Sequence, residues 1–220
     1  MTGLNSRPRL LIADDHAIFA EMLGVYLESS FSVVGVALDG RAMVDAAIRL
    51  RPDLITVDIG MPLLNGLDAA RRVRKELPHT KLVFLTMRDD PNLAAAALEL
   101  GPVAYVLKQC GGNELKKAIA QVLRGLPYLT PRLRVPNRQD AQERARQFSK
   151  EITSRQRDVI QMLAEGHSVK EIAGLLDLSI RTVEFHKGHI KQVFQLKSNA
   201  DLVLFALKHS LIALDSGPIR

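Results

Sequence analysis

The 220-residue sequence holds a single cysteine, Cys110, which excludes an internal disulfide framework and a metal site built from several thiolates. No stretch approaches the roughly 18 consecutive apolar residues of a membrane-spanning helix, and the polar residues 1–9 lack the apolar run of a signal peptide. A soluble, cytoplasmic protein is therefore expected, with no membrane partner. The first half also lacks any surplus of charge: residues 1–123 carry 14 basic and 14 acidic side chains. The formal charge of +6 comes from the remainder, with 6 basic and 2 acidic residues in 124–149 and 10 and 8 in 150–220. Positive charge confined to one part of a chain is the footprint of phosphate-backbone binding, although a solvated linker has the same composition.

Five short runs rich in β-branched or other apolar residues recur in the first half, at 10–13, 33–38, 54–57, 82–85 and 103–107. Segments with helical spacing lie between them, such as Phe19, Leu23 and Leu27, or Leu115, Ala118, Ile119 and Val122. Asp90-Pro91 reads as an N-cap followed by proline at the first helical position. Strands alternating with helices predict a doubly wound α/β fold with a five-stranded parallel sheet, covered on both faces. From Arg124 onward the pattern lapses into a stretch with Pro127, Pro131, Pro136 and several arginines, carrying one short helical segment around 141–148. The expected organisation is a first domain at 1–124, a linker at 125–149 and a small all-α domain at 150–220.

In an open α/β sheet, functional groups gather at the carboxyl ends of the strands. Asp14 and Asp15 follow the first predicted strand, Asp58 follows the third, Thr86 the fourth and Lys108 the fifth. Carboxylates crowded in this way repel one another unless a hard divalent cation such as Mg²⁺ sits among them. That cation leaves Asp58 anionic and nucleophilic, while Lys108 and Thr86 offer a positive charge and a hydroxyl to an incoming phosphoryl group. Each residue alone reads equally well as a strand-end polar group meeting solvent; the ordered combination does not.

The pieces LLIADDH, TVDIGMPLLNG, VFLTM and AYVLK, spread over residues 9–124, resemble those of bacterial response-regulator receiver domains. The resemblance implies a flavodoxin-like fold in which Asp58 is the phosphoacceptor and Asp14, Asp15 and Asp58 bind Mg²⁺ together with the backbone carbonyl of Gly60. It further implies that Thr86 and Lys108 sense the phosphoryl group and that Tyr105 is the switch aromatic, with an ordinary aromatic on a sheet edge as the lesser alternative for Tyr105. The segment Gly101-Pro102-Val103-Ala104 departs from the family's usual Gly-Ala pattern.

The last part of the chain reads as wholly helical. Thr153 with Gln156 and Ser168 with Glu171 form capping boxes, and Gly166 sits where the first helix should stop. Val159, Ile160, Leu163, Ile172, Leu175, Leu176, Val183, Ile190 and Phe194 supply a buried stripe. The tight connection Asp177-Leu178-Ser179, with Ser179 as N-cap, makes a helix-turn-helix whose second helix runs to about Phe194. Thr-x-Arg-Gln-x-x-Val at 153–159, Ser-Val-Lys-Glu-Ile-Ala at 168–173 and Ser-Ile-Arg-Thr-Val-Glu-Phe-His at 179–186 resemble the LuxR-type DNA-binding domain, with Gln156, Val169 and Asn199 as departures. By position the resemblance implies that Glu184, Phe185 and Gly188 face bases, and that Lys170, Thr182, His186, Lys187, His189 and Lys191 meet phosphates. A packing role for Phe185 is an equal alternative. The helix at 200–209 resembles the family's dimerisation helix, and Leu202, Leu204 and Phe205 suit plain core packing as well. His186 and His189 lie three apart, as metal ligands can, but no nearby cysteine, aspartate or third histidine completes a site.

Together these resemblances are those of a two-component response regulator of the NarL/FixJ type. They imply a sensor histidine kinase as phosphoryl donor, promoter DNA as ligand, RNA polymerase as a further contact, a homodimer when phosphorylated, and no enzymatic role. An aspartate-nucleophile phosphatase is the rival enzyme reading, but it needs a second acid two residues after the nucleophile, where glycine stands at position 60. A pseudo-receiver controlling DNA binding without phosphorylation and an adaptor with a non-DNA partner are the other readings.

Overall fold

The computed structural model describes residues 7–133, 152–209 and 211–212. The chain forms two units, one within residues 1–145 and one within 146–220. The helical segment expected around 141–148 lies outside the described residues.

The first unit alternates β1 (Arg9–Ala13), α1 (Ala17–Leu27), β2 (Ser32–Ala37), α2 (Gly40–Leu50), β3 (Leu54–Val57), α3 (Gly66–Glu76), β4 (Lys81–Thr86), α4 (Pro91–Leu98), β5 (Ala104–Leu107) and α5 (Gly112–Leu123), followed by β6 (Tyr128–Leu129). All strands are parallel, in the order β2-β1-β3-β4-β5-β6. Alternate residues of each strand feed two separate cores. Leu11, Ile55, Phe84 and Tyr105 pack with α2, α3 and α4 on one face. Leu10, Ile12, Val83 and Val106 pack with α1 and α5 on the other. Burial on both faces explains why these strands read as continuous apolar runs. The N-caps are local: Asp39 accepts from the amides of Arg41 and Ala42, and Asp90 from that of Asn92 ahead of the helix that Pro91 opens.

The sheet has six strands where five are expected. Tyr128 and Leu129 pair with Ala104 and Tyr105 inside the stretch read as linker. The strand is too short, and too closely flanked by Pro127 and Pro131, to carry any alternation of its own. Its anchors are tertiary: the Thr130 amide donates to the Tyr105 carbonyl at 3.0 Å, and the fully buried Thr130 hydroxyl accepts from the Leu107 amide at 3.2 Å. Leu133 is buried in the same core as Tyr105. With β6 in place β5 is an interior strand, so the sheet-edge reading of Tyr105 does not hold.

The second unit consists of α6 (Ser154–Ala164), α7 (Val169–Leu176), α8 (Ile180–Val193) and α9 (Asn199–Lys208). Both expected capping boxes form, and Ser198 with Asp201 makes a third, closed by aspartate. Gly166 takes φ 93° after α6, and Asp177 takes φ 53° in the turn between α7 and α8. Ile152, Ile160, Ile190, Leu202 and Phe205 form the core of this unit, with Phe194 packed against it. One position departs from the expected stripe, Leu175, which is 39% exposed; in the last helix Leu204 is 64% exposed and so has no core-packing role within the unit. Among the described residues no helix is long and apolar enough to cross a membrane.

Candidate functional site

In the first unit the strand order reverses between β1 and β3, and a crevice at such a point is where α/β sheets bind ligands. Asp14 follows β1 and Asp58 follows β3, which puts their carboxylates side by side; Thr86 ends β4 and Lys108 follows β5. Lys108 Nζ lies 2.7 Å from Asp14 Oδ2 and 2.7 Å from Asp58 Oδ2, with the three side chains nearly buried. Burial pushes the Asp14 carboxyl above its ordinary value, reinforced by Asp58 and countered by Lys108. Burial also opposes the charge on Lys108, but the Asp58 and Asp14 carboxylates outweigh it and hold the ammonium above its ordinary value. The structure thus brings together four of the residues singled out at strand ends, Asp14, Asp15, Asp58 and Lys108. Thr86, buried at the end of β4, accepts a hydrogen bond from the Arg88 amide at 3.1 Å.

The ligand atoms of Asp14, Asp15, His16 and Asp58 all lie within 4.8 Å of one another. Oxygen donors bind Mg²⁺ at about 2.0–2.1 Å, so ligands on opposite sides of the ion stand about 4 Å apart, and this group is close to that spacing. The donors are mostly hard carboxylate oxygens, the chemistry Mg²⁺ prefers, so the residues fit the ion. Gly60 reaches this group through its amide, which meets Asp58 Oδ1 at 3.3 Å.

Tyr105 is fully buried, and its hydroxyl donates to the Arg88 carbonyl at 2.9 Å. Burial, with the carboxylates of Asp90, Asp89 and Asp58, pushes its pKa far up, so the phenol stays protonated and a donor. The Arg88 backbone therefore meets Thr86 through its N–H and Tyr105 through its C=O.

Several supporting residues escaped the sequence reading. His16 directly follows the acid pair, and its Nδ1 lies 2.9 Å from Asp15 Oδ1. Phe19, read only as a core position of α1, places its ring 4.6 Å from Lys108 Nζ. Gly66 is sterically obligatory, since a Cβ there would stand 1.9 Å from the Asp58 carbonyl oxygen. The adjacency of histidine to the acid pair was a readable signal; the other two contacts are tertiary and have none.

In the second unit the singled-out residues line α8 and its approach. Glu184, Phe185, Gly188 and His189 are exposed on α8, Thr182, His186, Lys187 and Lys191 are half-buried, and Lys170 is exposed on α7. Thr182 is tied to the N-cap, its Oγ1 2.7 Å from Ser179 Oγ. Lys187 Nζ stands 3.5 Å from Glu184 Oε1, and Lys191 Nζ donates to Asn199 Oδ1 at 2.9 Å. Gln156, one of the departures, closes its capping box and also meets His189 Nδ1 at 3.0 Å. Burial lowers the His186 pKa, helped by Arg155 and His189, which favours the neutral ring. Phe185 is 66% exposed, against its packing alternative, and its ring neighbours those of His186 and His189.

Residues 10–120 match the response regulator receiver domain family, and residues 150–206 match the bacterial regulatory proteins of the luxR family. The oxygen regulatory protein NreC of Staphylococcus carnosus is 33% identical over 215 residues, covering 93% of this chain and 99% of that protein. A solved structure of the RcsB response regulator of Salmonella typhimurium shares the fold, with a TM-score of 0.62 at 24% identity over 94% of this chain and all of that one. Two RcsB dimers bound to two parallel DNAs form another similar structure, at 25% identity and a TM-score of 0.54 over 92% of this chain and 98% of that one. The family is one of DNA-binding regulators rather than classical enzymes. An acid crevice at the switch point of a parallel sheet, a helix-turn-helix behind it in sequence and matches along nearly the whole chain lead to one conclusion: the chain belongs to the two-component response regulators of the NarL/FixJ type, DNA-binding proteins in which a receiver domain precedes a LuxR-type helix-turn-helix domain.

Proposed function

We propose that Asp58 accepts a phosphoryl group from the phosphohistidine of a sensor kinase, and that this controls dimerisation and promoter binding in the cytoplasm. A carboxylate oxygen of Asp58 forms the new P–O bond as the P–N bond to the histidine breaks, and the departing imidazole takes up a proton. Asp14, Asp15, Asp58 and the Gly60 carbonyl would hold Mg²⁺, which when bound neutralises phosphoryl oxygens and the crowded carboxylates. The observation that carries this reading is the pair of 2.7 Å contacts by which Lys108 bridges Asp14 and Asp58 in the crevice. The ammonium is already where phosphoryl charge would develop, and positioned cations of this kind are what phosphoryl transfer requires.

The Thr86 hydroxyl would turn to a phosphoryl oxygen, giving up the Arg88 amide. That frees the Arg88 backbone, whose carbonyl holds Tyr105, and biases Tyr105 between two positions. Chemistry is confined to the receiver unit, which includes β6 and Leu133, and DNA contact to residues 150–220. Glu184, Phe185 and Gly188 of α8 would face bases in the major groove, while Lys170, Thr182, His186, Lys187, His189 and Lys191 would meet phosphates. Dimerisation adds two half-site energies, and RcsB, solved as dimers on DNA, supports that reading for this chain. RNA polymerase would be met at the promoter, and turnover of the phosphoryl group is incidental to regulation.

The test is labelling by a small phosphodonor with and without Mg²⁺, for wild type and Asp58→Asn. Mg²⁺-dependent labelling that disappears in the variant is expected. Equal labelling of both proteins would remove Asp58 from this role, and no labelling of either would favour a pseudo-receiver.

A further inference from the structure

Lys108 is held by more than its two carboxylates. Its ammonium, at the end of a flexible four-carbon stem, carries three N–H bonds. Asp14 Oδ2 and Asp58 Oδ2 each stand 2.7 Å from Nζ, and the face of the Phe19 ring is a further neighbour, its centroid 4.6 Å from Nζ. Only 7% of the Lys108 side chain is exposed, so the ring meets a cation that water barely reaches. An aromatic face carries negative potential and attracts such a cation more strongly the less water screens the pair. Phe19 reaches this place because α1 starts at Ala17, two residues beyond the acid pair. Ile18 beside it is 76% exposed, whereas the Phe19 ring turns inward to Lys108 and packs against the core that α1 and α5 share.

These partners cease to be equivalent when the crevice is in use. Asp14 and Asp58 are also the residues that would hold Mg²⁺, and Asp58 gives an oxygen to the incoming phosphoryl group. A carboxylate that serves a divalent cation or an ester bond has less charge left for an ammonium. Lys108 could then swing toward water on its long stem, away from the place where phosphoryl charge develops. The Phe19 ring is the partner that is not taken: it offers no oxygen to a hard cation and no donor to a phosphoryl oxygen. It also leaves the N–H bonds released by the carboxylates free for phosphoryl oxygens.

We infer that Phe19 is a positioning residue for phosphoryl transfer, its ring face keeping the Lys108 ammonium in the crevice while Asp14 and Asp58 are engaged by metal and phosphoryl group. This rests on the phosphoryl-transfer reading above and adds one side chain to it. A residue that only fills the core between α1 and α5 needs to be apolar; it does not need a ring.

The test uses the full chain with Phe19→Leu, Phe19→Tyr, and singly, doubly and triply ring-fluorinated phenylalanine at the same position. Fluorination withdraws the negative potential of the ring face in steps and hardly changes its size. Labelling by acetyl phosphate is timed at saturating Mg²⁺. Phe19→Leu should label about fivefold more slowly, Phe19→Tyr at the wild-type rate, and the fluorinated proteins progressively more slowly with each fluorine. In lysine-labelled protein the Lys108 ε-methylene protons, assigned by their loss in Lys108→Met, should resonate upfield of the other lysines through the ring current. That shift should persist when Mg²⁺ is added and vanish in Phe19→Leu. Should Phe19→Leu fail to fold, the fluorinated series decides alone. Fluorinated proteins that all label at the wild-type rate, or a Lys108 resonance unmoved in Phe19→Leu, would reduce Phe19 to core packing and leave phosphorylation of Asp58 standing. Wild type that takes no label, or Asp58→Asn labelled equally, would remove the phosphoryl-transfer reading, and this inference with it.

Discussion

Asp14, Asp58, Thr86 and Tyr105 are all buried in the receiver unit, whereas Glu184 and Phe185 stand exposed on α8 of the helical unit. The charges of the two units differ in the same sense. The receiver carries no net charge and uses Lys108 against two carboxylates in a nearly dry crevice; the surplus positive charge lies beyond residue 123. Bond-making chemistry needs groups held still where water cannot screen them, and recognition of a large polyanion needs groups that water already reaches. One chain serves both ends by keeping them in separate units.

Because the protein has no tryptophan and its three tyrosines, Tyr26, Tyr105 and Tyr128, all lie in the first unit, tyrosine emission follows the receiver alone while far-ultraviolet circular dichroism follows both units. That optical difference lets each substitution be assigned to its unit. The largest effect is expected from Lys108→Met, which leaves two carboxylates buried without their cation: about 3 kcal/mol of receiver stability should be lost in urea unfolding, with Mg²⁺ restoring part of it. Gly66→Ala should remove about 2 kcal/mol by driving a Cβ into the Asp58 carbonyl, with labelling of Asp58 lost and DNA binding by the helical unit retained. Thr130→Val should remove about 1.5 kcal/mol through the stranded Leu107 amide, read as an earlier loss of tyrosine signal; an unchanged midpoint would mean that β6 contributes nothing to the sheet. The smallest effect, about 1 kcal/mol, is expected from Ser168→Ala, confined to the circular dichroism signal of the helical unit.

The pH dependence separates the units as well. Lys108 has a raised pKa in the folded state, so its contribution to stability is complete below its ordinary value of 10.5 and is lost as pH rises through the folded value. Asp14 is also raised, but as an acid it favours the protonated folded form, so stability from this group declines as pH rises above 3.8 toward its folded value. Urea midpoints of the receiver across alkaline pH should fall for wild type and stay flatter for Lys108→Met. A parallel fall in both proteins would contradict the bridging role.

Much of this was legible in sequence because its causes are local or periodic. Asp14, Asp58, Thr86 and Lys108 could be read because parallel strands ending in polar residues must present them at one edge. The boxes at Thr153 and Ser168 could be read because a cap and its partner lie three residues apart. Contacts between distant segments left no comparable mark. The two-residue β6 has no periodicity, and its pairing with Ala104 and Tyr105 exists only once the sheet is built. The meetings of Gln156 with His189 and of Lys191 with Asn199 tie together residues whose neighbours in sequence say nothing of each other. Both Gln156 and Asn199 looked like departures from a family pattern, and in the fold both have partners on α8.

The most direct measurement is the affinity of the full chain for a selected duplex, taken in the same samples before and after phosphodonor and Mg²⁺ are added, for wild type and Asp58→Asn. The account predicts that the two proteins start with equal affinity and that only wild type tightens. Tightening of both, or phosphorylated wild type that binds no better than before, would contradict the claim that chemistry in the buried crevice governs recognition on the exposed helix.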